Sequence, residues 1–438
     1  MPIPIHTYED VTNYLFPKRR GDFVYNLEKV SALLGRFGDP HLALKGAIVT
    51  GSKGKGSVTA MMHNILRCSG NRTGRFTSPH VIRLNERIFI DREIPDRELV
   101  ALTRKVHSVI EEMAGNPDTT LSFFEIITAM GFMHFASKRC DAVVLEVGMG
   151  GRLDSTNVLR NDVAVIMPIE LEHTETLGKT IRAIATEKAG VIKSRCDVVA
   201  NCSEEALGPI RARCRETGSE LLRLGVDFDC RRRAHDIEGE TLDYISDGMK
   251  LEGLRIPLHG AHEVQNATCA IRACISMKER LGLELTENGI RKGLGTVDWP
   301  ARIQIYRREP LLVIDCAHTP RSAQVLASTL EELFPGKRHH LVAGSLADKD
   351  VGGFFAPLKR ICERVHIAPV SSPRALAPEK TAAILAGIGI PYDKHASIEE
   401  AYACATRASK SVVVTGSIFL AGDVLAMLER RDRPGSVE

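Results

Sequence analysis

One run near the N-terminus constrains this chain more than any other feature. Ala47-Ile48-Val49-Thr50 is a continuously apolar, β-branched segment, Gly51-Ser52-Lys53-Gly54-Lys55-Gly56-Ser57 follows it, and a helical pattern runs from about Ser57 to Cys68. A strand of that kind suits a parallel sheet covered on both faces. The glycines let backbone N–H groups turn inward around a polyphosphate without Cβ clashes, and the following helix N-terminus adds positive potential. Lys55 can reach the outer phosphates, and Ser57 can offer its hydroxyl to Mg²⁺. The spacing departs from the usual phosphate loop, because Gly56 separates the lysine from the serine. An ordinary glycine-rich turn has no need of this strand, this helix and Lys-Gly-Ser together. Lys53 adds positive charge without a defined role.

The same rhythm recurs. Ala142 to Leu145 and Val163 to Met167 read as buried strands, and a second series follows at Leu311 to Ile314, His340 to Ala343, Val365 to Ala368 and Val412 to Val414. Apolar runs alternating with helical patterns predict an α/β architecture with mostly parallel sheets. The stretch from Cys230 to Leu258 is broken by Gly239, Asp247-Gly248 and Gly253, which predicts a small antiparallel patch. Helices are expected from about His262 to Arg280 and from Thr286. Trp299-Pro300 interrupts the pattern, so the expected division is an ATP-binding domain over 1–297 and a smaller, doubly wound Rossmann-like domain over 298–438. A chain of 438 residues agrees with two domains. The tail from Arg430 to Gly435 is expected to fray.

Composition excludes several classes. Hydrophobic residues make up 44% and charged residues 26%, the balance of a soluble globular protein. No apolar run reaches bilayer length, and the first residues show no signal peptide, so the expected location is the cytoplasm. The eleven cysteines include no Cys-x-x-Cys pair and read as reduced, mostly buried thiols. A net charge of +3 gives no reason to invoke nucleic acid or a membrane surface. Arg231-Arg232-Arg233 reads as a solvated face or a strand edge.

A nucleotide site needs an acid near its phosphate loop to hold Mg²⁺. Glu146 closes the strand that begins at Ala142 and precedes the turn Gly148-Met149-Gly150-Gly151. His173 follows another strand; a lone histidine there is more often structural, and Mg²⁺ prefers oxygen. On spacing alone, Lys188 reads as a surface residue near a helix C-terminus.

Further motifs follow in order: Thr77-Ser78-Pro79-His80, Ser122-Phe123-Phe124-Glu125, Gly151-Arg152-Leu153-Asp154-Ser155, Glu187-Lys188-Ala189-Gly190, Gly260-Ala261-His262 with Asn266, Trp299-Pro300-Ala301-Arg302, Asp315-Cys316-Ala317-His318, Ser372-Pro373-Arg374 and Thr415-Gly416-Ser417. With the phosphate loop and Glu146, they make the chain similar, over nearly its full length, to the folylpolyglutamate synthase and dihydrofolate synthase family of the muramyl-ligase superfamily. The resemblance implies that Ser57, Ser78, Glu146 and His173 hold two Mg²⁺ ions and that a carbamylated Lys188 serves the second. It implies ATP contacts from Gly54, Lys55, Gly56, Ser57, Asn266, Arg302, Asp315 and His318. Phe124, Asp154 and Ser155 would lie near a pterin-type substrate, and Arg374 and Ser417 near the amino acid. Five positions depart from the family pattern: Glu172 stands for Asp, Glu263 for Gln, Cys316 and Thr319 for Gly and Asn, and Ala301 for Gly.

The implied reaction joins L-glutamate to a folate or dihydropteroate carboxylate at the expense of ATP, through an acyl phosphate. Lys55, His173 and Lys188 would serve its charge chemistry, and the chain would act as a monomer. The rivals are a ligase of the same superfamily for another acid and a nucleotide-binding switch without ligation.

Overall fold

The computed structural model describes residues 4–18, 26–113 and 120–433. The first sheet contains β1 (Gly46–Thr50), β2 (Thr73–Phe76), β3 (Ile88–Phe89), β4 (Ala142–Glu146), β5 (Val163–Ile166), β6 (Asp197–Ala200) and β7 (Glu220–Arg223). Their order is β3-β2-β4-β1-β5-β6-β7, and only β3 runs antiparallel to its neighbour. β1 lies between β4 and β5, with Ile48 opposite both Leu145 and Ala164. Successive side chains of a strand point to opposite faces. Ala47 and Val49 therefore join one apolar cluster, under the helices Lys55–Cys68 and Ala261–Leu281, while Ile48 joins the other, under Phe123–Ser137. Both faces being covered explains why the sequence of β1 is apolar without alternation.

A three-stranded antiparallel sheet follows, made of β8 (Phe228–Asp236), β9 (Gly239–Ser246) and β10 (Met249–Ile256). Arg231-Arg232-Arg233 lies on its edge strand β8, where Arg232 pairs with Glu240 and with Glu332, each at 2.7 Å. The third sheet holds β11 (Gln304–Arg307), β12 (Leu311–Ile314), β13 (His339–Ala343), β14 (Cys362–Ile367), β15 (Tyr392–Lys394) and β16 (Ser411–Thr415). Its order is β11-β12-β16-β13-β14-β15, parallel except at β11. Every cysteine is a free thiol. Among the described residues no helix is long and apolar enough to cross a membrane.

Three expectations are corrected. The helix after the phosphate loop begins at Lys55, before Ser57, because Gly54 takes the left-handed N-cap at φ 83°. Lys188 is not on the surface but 1% exposed. The tail is tied down as far as Arg433, whose guanidinium pairs with Asp423 and donates to the Val81 carbonyl at 3.0 Å; Pro434 and Gly435 lie outside the described residues. Ala301 sits at φ 56°, a conformation that glycine adopts without strain, so the family's usual glycine has a steric reason there.

Within the third sheet, His340, His366 and His395 form a buried ladder, with ring nitrogens 3.0 Å apart at each step. Burial and the two neighbouring imidazoles push His366 down to about 4. The unfolded chain therefore binds more protons than the folded one between pH 6.5 and 4, and stability falls as pH drops through that window. His366→Asn should flatten the decline measured by urea unfolding between pH 7 and pH 5 by up to about 2 kcal/mol.

Candidate active site

The carboxyl ends of the parallel strands converge on the phosphate loop, where open α/β sheets place their ligands. The loop is braced from β5: the Ser52 amide donates to the Pro168 carbonyl at 2.7 Å, and the Ser52 hydroxyl accepts from the Glu170 amide at 2.9 Å. A Cβ on Gly54 would lie 2.6 Å from Asn266 Oδ1, and one on Gly56 would lie 2.7 Å from Trp299 Cζ2. Those glycines let Asn266 and the domain-junction tryptophan touch the loop backbone. Glu146, at the end of β4, is buried and accepts from the Ser78 amide at 3.0 Å, beyond the end of β2. His173 is exposed and sits at φ 47°, capping the short helix Thr174–Leu177.

Lys188 lies beneath the loop. Its Nζ donates to the Gly51 carbonyl at 2.8 Å and to Glu172 Oε1 at 3.0 Å. Lys55 Nζ donates to the same Gly51 carbonyl at 2.9 Å. Burial first, and then the nearby Lys55 charge, push the Lys188 amine down to about 8. Burial opposes the charge of Glu172, yet Lys55 and Lys188 hold its carboxyl at about 2. Glu263 is fully buried and accepts from the Ser57 hydroxyl at 2.9 Å. Burial opposes its charge too, but contacts with His262, Asn266 and Ser57 hold it below the usual carboxylate range.

The second domain supplies the opposite wall. Asp315 follows β12; burial raises its pKa, while the Ile303 and Ala317 amides, at 2.9 and 2.7 Å, oppose that rise. Arg302 Nη1 donates to Cys316 Sγ at 2.7 Å, and its guanidinium lies 6.0 Å from the Trp299 ring centre. His318 is pushed down to about 4 by burial and by Lys53, so it is neutral at pH 7. Across the cleft, Arg321 pairs with Glu170 at 2.9 Å.

The resulting cleft has a volume of 1420 Å³, and every residue nominated above lines it except Lys188. The lining residues are not equally available to a ligand. Both carboxylate oxygens of Asp154 are engaged within their own loop, accepting from the Gly148, Met149 and Thr156 amides and the Thr156 hydroxyl. Ser417 Oγ caps the last helix by accepting from the Phe419 amide at 3.1 Å. The Phe124 ring lies against Gly148, where a Cβ would be 2.7 Å from it. Arg374 faces Asp348 at 3.6 Å, and its Nε has no hydrogen-bond partner. Sequence reasoning gave no role to Glu172, the partner of Lys188; its one signal was that it replaces the family's Asp beside His173. Among the described residues no group of three or more His, Cys, Asp and Glu could by itself hold a metal. Mg²⁺ needs none, since it commonly takes one or two carboxylates, waters and substrate phosphates. Ser57, Ser78 and Glu146 are oxygen donors of that kind.

A phosphate loop on one parallel sheet, faced across a cleft by a second doubly wound domain, defines a two-domain nucleotide-dependent enzyme. The description "Mur ligase middle domain" matches residues 49–274, and "Mur ligase, glutamate ligase domain" matches residues 301–418. The chain is 34% identical to the folylpolyglutamate synthase of Lacticaseibacillus casei, covering 95% of this chain and 97% of that one. It is 32% identical to the dihydrofolate synthase/folylpolyglutamate synthase of Escherichia coli, covering 93% of this chain and 92% of that one. The structure of Mycobacterium tuberculosis folylpolyglutamate synthase complexed with ADP superposes with a TM-score of 0.90 at 31% identity, covering 98% of this chain and 99% of that one. The chain belongs to the folylpolyglutamate synthase/dihydrofolate synthase family of Mur ligases.

Removing the Lys188 amine takes the buried partner from Glu172, while the Gly51 carbonyl keeps Lys55 as a donor. Lys188→Met should lower stability to urea by about 2–3 kcal/mol, measured without nucleotide.

Proposed function

We propose that this chain is an ATP-dependent ligase that forms an amide between the α-amine of L-glutamate and the carboxylate of a folate-type acid. The observation that carries this reading is the single cleft, in which the phosphate loop faces Arg302, Asp315 and His318 of the second domain. The relatives' names supply the substrate class, and both reduced folate and dihydropteroate fall within it.

A carboxylate and an amine do not condense in neutral water, so the acid must first gain a leaving group. Its oxygen attacks the γ-phosphorus of ATP, the bond to the bridging oxygen breaks, and ADP leaves an acyl phosphate. The α-amine of glutamate then attacks the acyl carbon, gives up a proton, and inorganic phosphate departs with the electron pair of the C–O bond. Lys55 neutralises charge that moves onto the phosphates, and His173, at the rim of the loop, stands on the side of the tetrahedral oxyanion. Asn266, Gly54, Gly56 and Ser57 hold the nucleotide on the loop side, while Arg302, Asp315 and His318 hold it from the far side. ATP bound by both domains keeps the cleft shut and excludes the water that would hydrolyse an acyl phosphate. Phe124, the loop built by Asp154, and Ser155 line the acid's end of the cleft; Arg374 and Ser417 line the end assigned to glutamate.

Ser57, Ser78, Glu146 and His173 would hold two Mg²⁺ ions, which when bound offset the charge of the transferring phosphoryl group. Lys188 is suited to carbamylation. An amine held at about 8 keeps a reactive neutral fraction near pH 7, and a carbamate there would face Glu172 and require a cation between them. The enzyme is assigned to the cytoplasm as a monomer, on small-molecule substrates alone.

The test is phosphate release from ATP with Mg²⁺ and glutamate, with dihydropteroate and tetrahydrofolate offered separately. Release should require acid and amine together and give a product one glutamate heavier, with both acids active. Silence with both acids, in a protein that still binds ATP, would overturn the folate assignment. Lys55→Ala should lower kcat about 10²–10³-fold while leaving the fold intact by circular dichroism. With ¹³C-bicarbonate, the wild type should show a carbamate carbon resonance that Lys188→Ala lacks; its absence from both would remove the carbamate from this account.

A further inference from the structure

The phosphate chemistry described above uses one buried carboxylate on the loop side of the cleft, Glu146, and gives no role to a second, Glu263. It stands in the first turn of the helix Ala261–Leu281, is 1% exposed and lines the cleft. Oε1 accepts from the Ser57 hydroxyl at 2.9 Å and faces His262 Nε2 at 3.5 Å; Oε2 accepts from Asn266 Nδ2 at 3.1 Å. Ser57 and Asn266 are thus both oriented by one carboxylate, and each is a nucleotide-side residue in the reading above. A glutamine of the same shape could accept from Ser57 but would carry no charge.

Charge is therefore what Glu263 adds. An anion behind a polyphosphate cradle repels bare nucleotide, and it attracts a cation lodged between itself and the phosphates. Low solvent access strengthens both effects. We propose that Glu263 is a positioning residue that makes nucleotide binding cation-linked: its carboxylate, held on Ser57 Oγ, disfavours metal-free nucleotide and favours a divalent cation at the Ser57 hydroxyl. The inference rests on the ATP-ligase reading and adds to it a specific source of nucleotide–metal coupling in this chain. Coupling of this kind is reciprocal, so the nucleotide raises cation affinity by the factor by which the cation raises nucleotide affinity.

The test is calorimetric titration of the full chain with ADP, in Mg²⁺ and in EDTA, for the wild type, Glu263→Gln and Glu263→Asp. The wild type should bind ADP much more tightly with Mg²⁺ than without. Glu263→Gln should bind ADP in EDTA about tenfold more tightly than the wild type, and its Mg²⁺ advantage should shrink by about tenfold or more. Glu263→Asp, which keeps the charge, should retain most of the coupling. Equal Mg²⁺ advantages in wild type and Glu263→Gln would overturn the proposal and leave the ligase reading standing. Parallel weakening in both buffers would do the same, because it marks a packing role. A wild type that binds no ADP even with Mg²⁺ would overturn both.

Discussion

Two ammonium groups, Lys55 and Lys188, share the carbonyl oxygen of Gly51 at 2.9 and 2.8 Å. Like charges held that close repel, and the arrangement persists only because anions surround it. Glu172 supplies one such charge, and a polyphosphate in the loop would supply more. Burial, and after it the same repulsion, bring the Lys188 amine within reach of neutrality, although its salt bridge with Glu172 opposes the shift. The loop thus gathers two ammonium groups on one carbonyl where a polyphosphate would bind.

The domain junction extends the same logic. Trp299 lies against Gly56, so the segment joining the domains touches the phosphate loop itself. Val81 and Ile82, just past Ser78, belong to the apolar cluster of the third sheet rather than to that of their own. Arg433 fastens the chain's far end to the Val81 carbonyl. Displacement of the second domain would therefore move the segment beside Ser78 and the ring on Gly56 together. This gives a physical route by which the relative position of the domains reaches the residues facing the phosphates.

The strands of the two parallel sheets were readable where both faces are covered, as in β1, β4, β5, β12, β13 and β16, because continuous burial writes a continuous apolar run. β2 was not readable. Its Thr-Gly-Arg-Phe sequence has no such run, and it is buried because Arg75 can lie over the Phe89 and Trp299 rings, 4.2 and 5.2 Å from their centres. Glu172 and Glu263 were visible only as departures from a family pattern, since nothing local distinguishes a buried, paired carboxylate from a solvated one.

The sequence by itself determined the α/β class, the phosphate loop with Lys55 and Ser57, and Glu146 as its nearby acid. All of these depend on local backbone geometry and side-chain type. Tertiary structure alone decided that Lys188 lies beneath the loop, that Asp154 is engaged within its own loop, that Glu263 faces Ser57 and that residues more than 200 positions apart line one cleft. Burial and electrostatic partnership are properties of neighbours in space, and a periodic pattern along the chain records which face is covered but not what covers it.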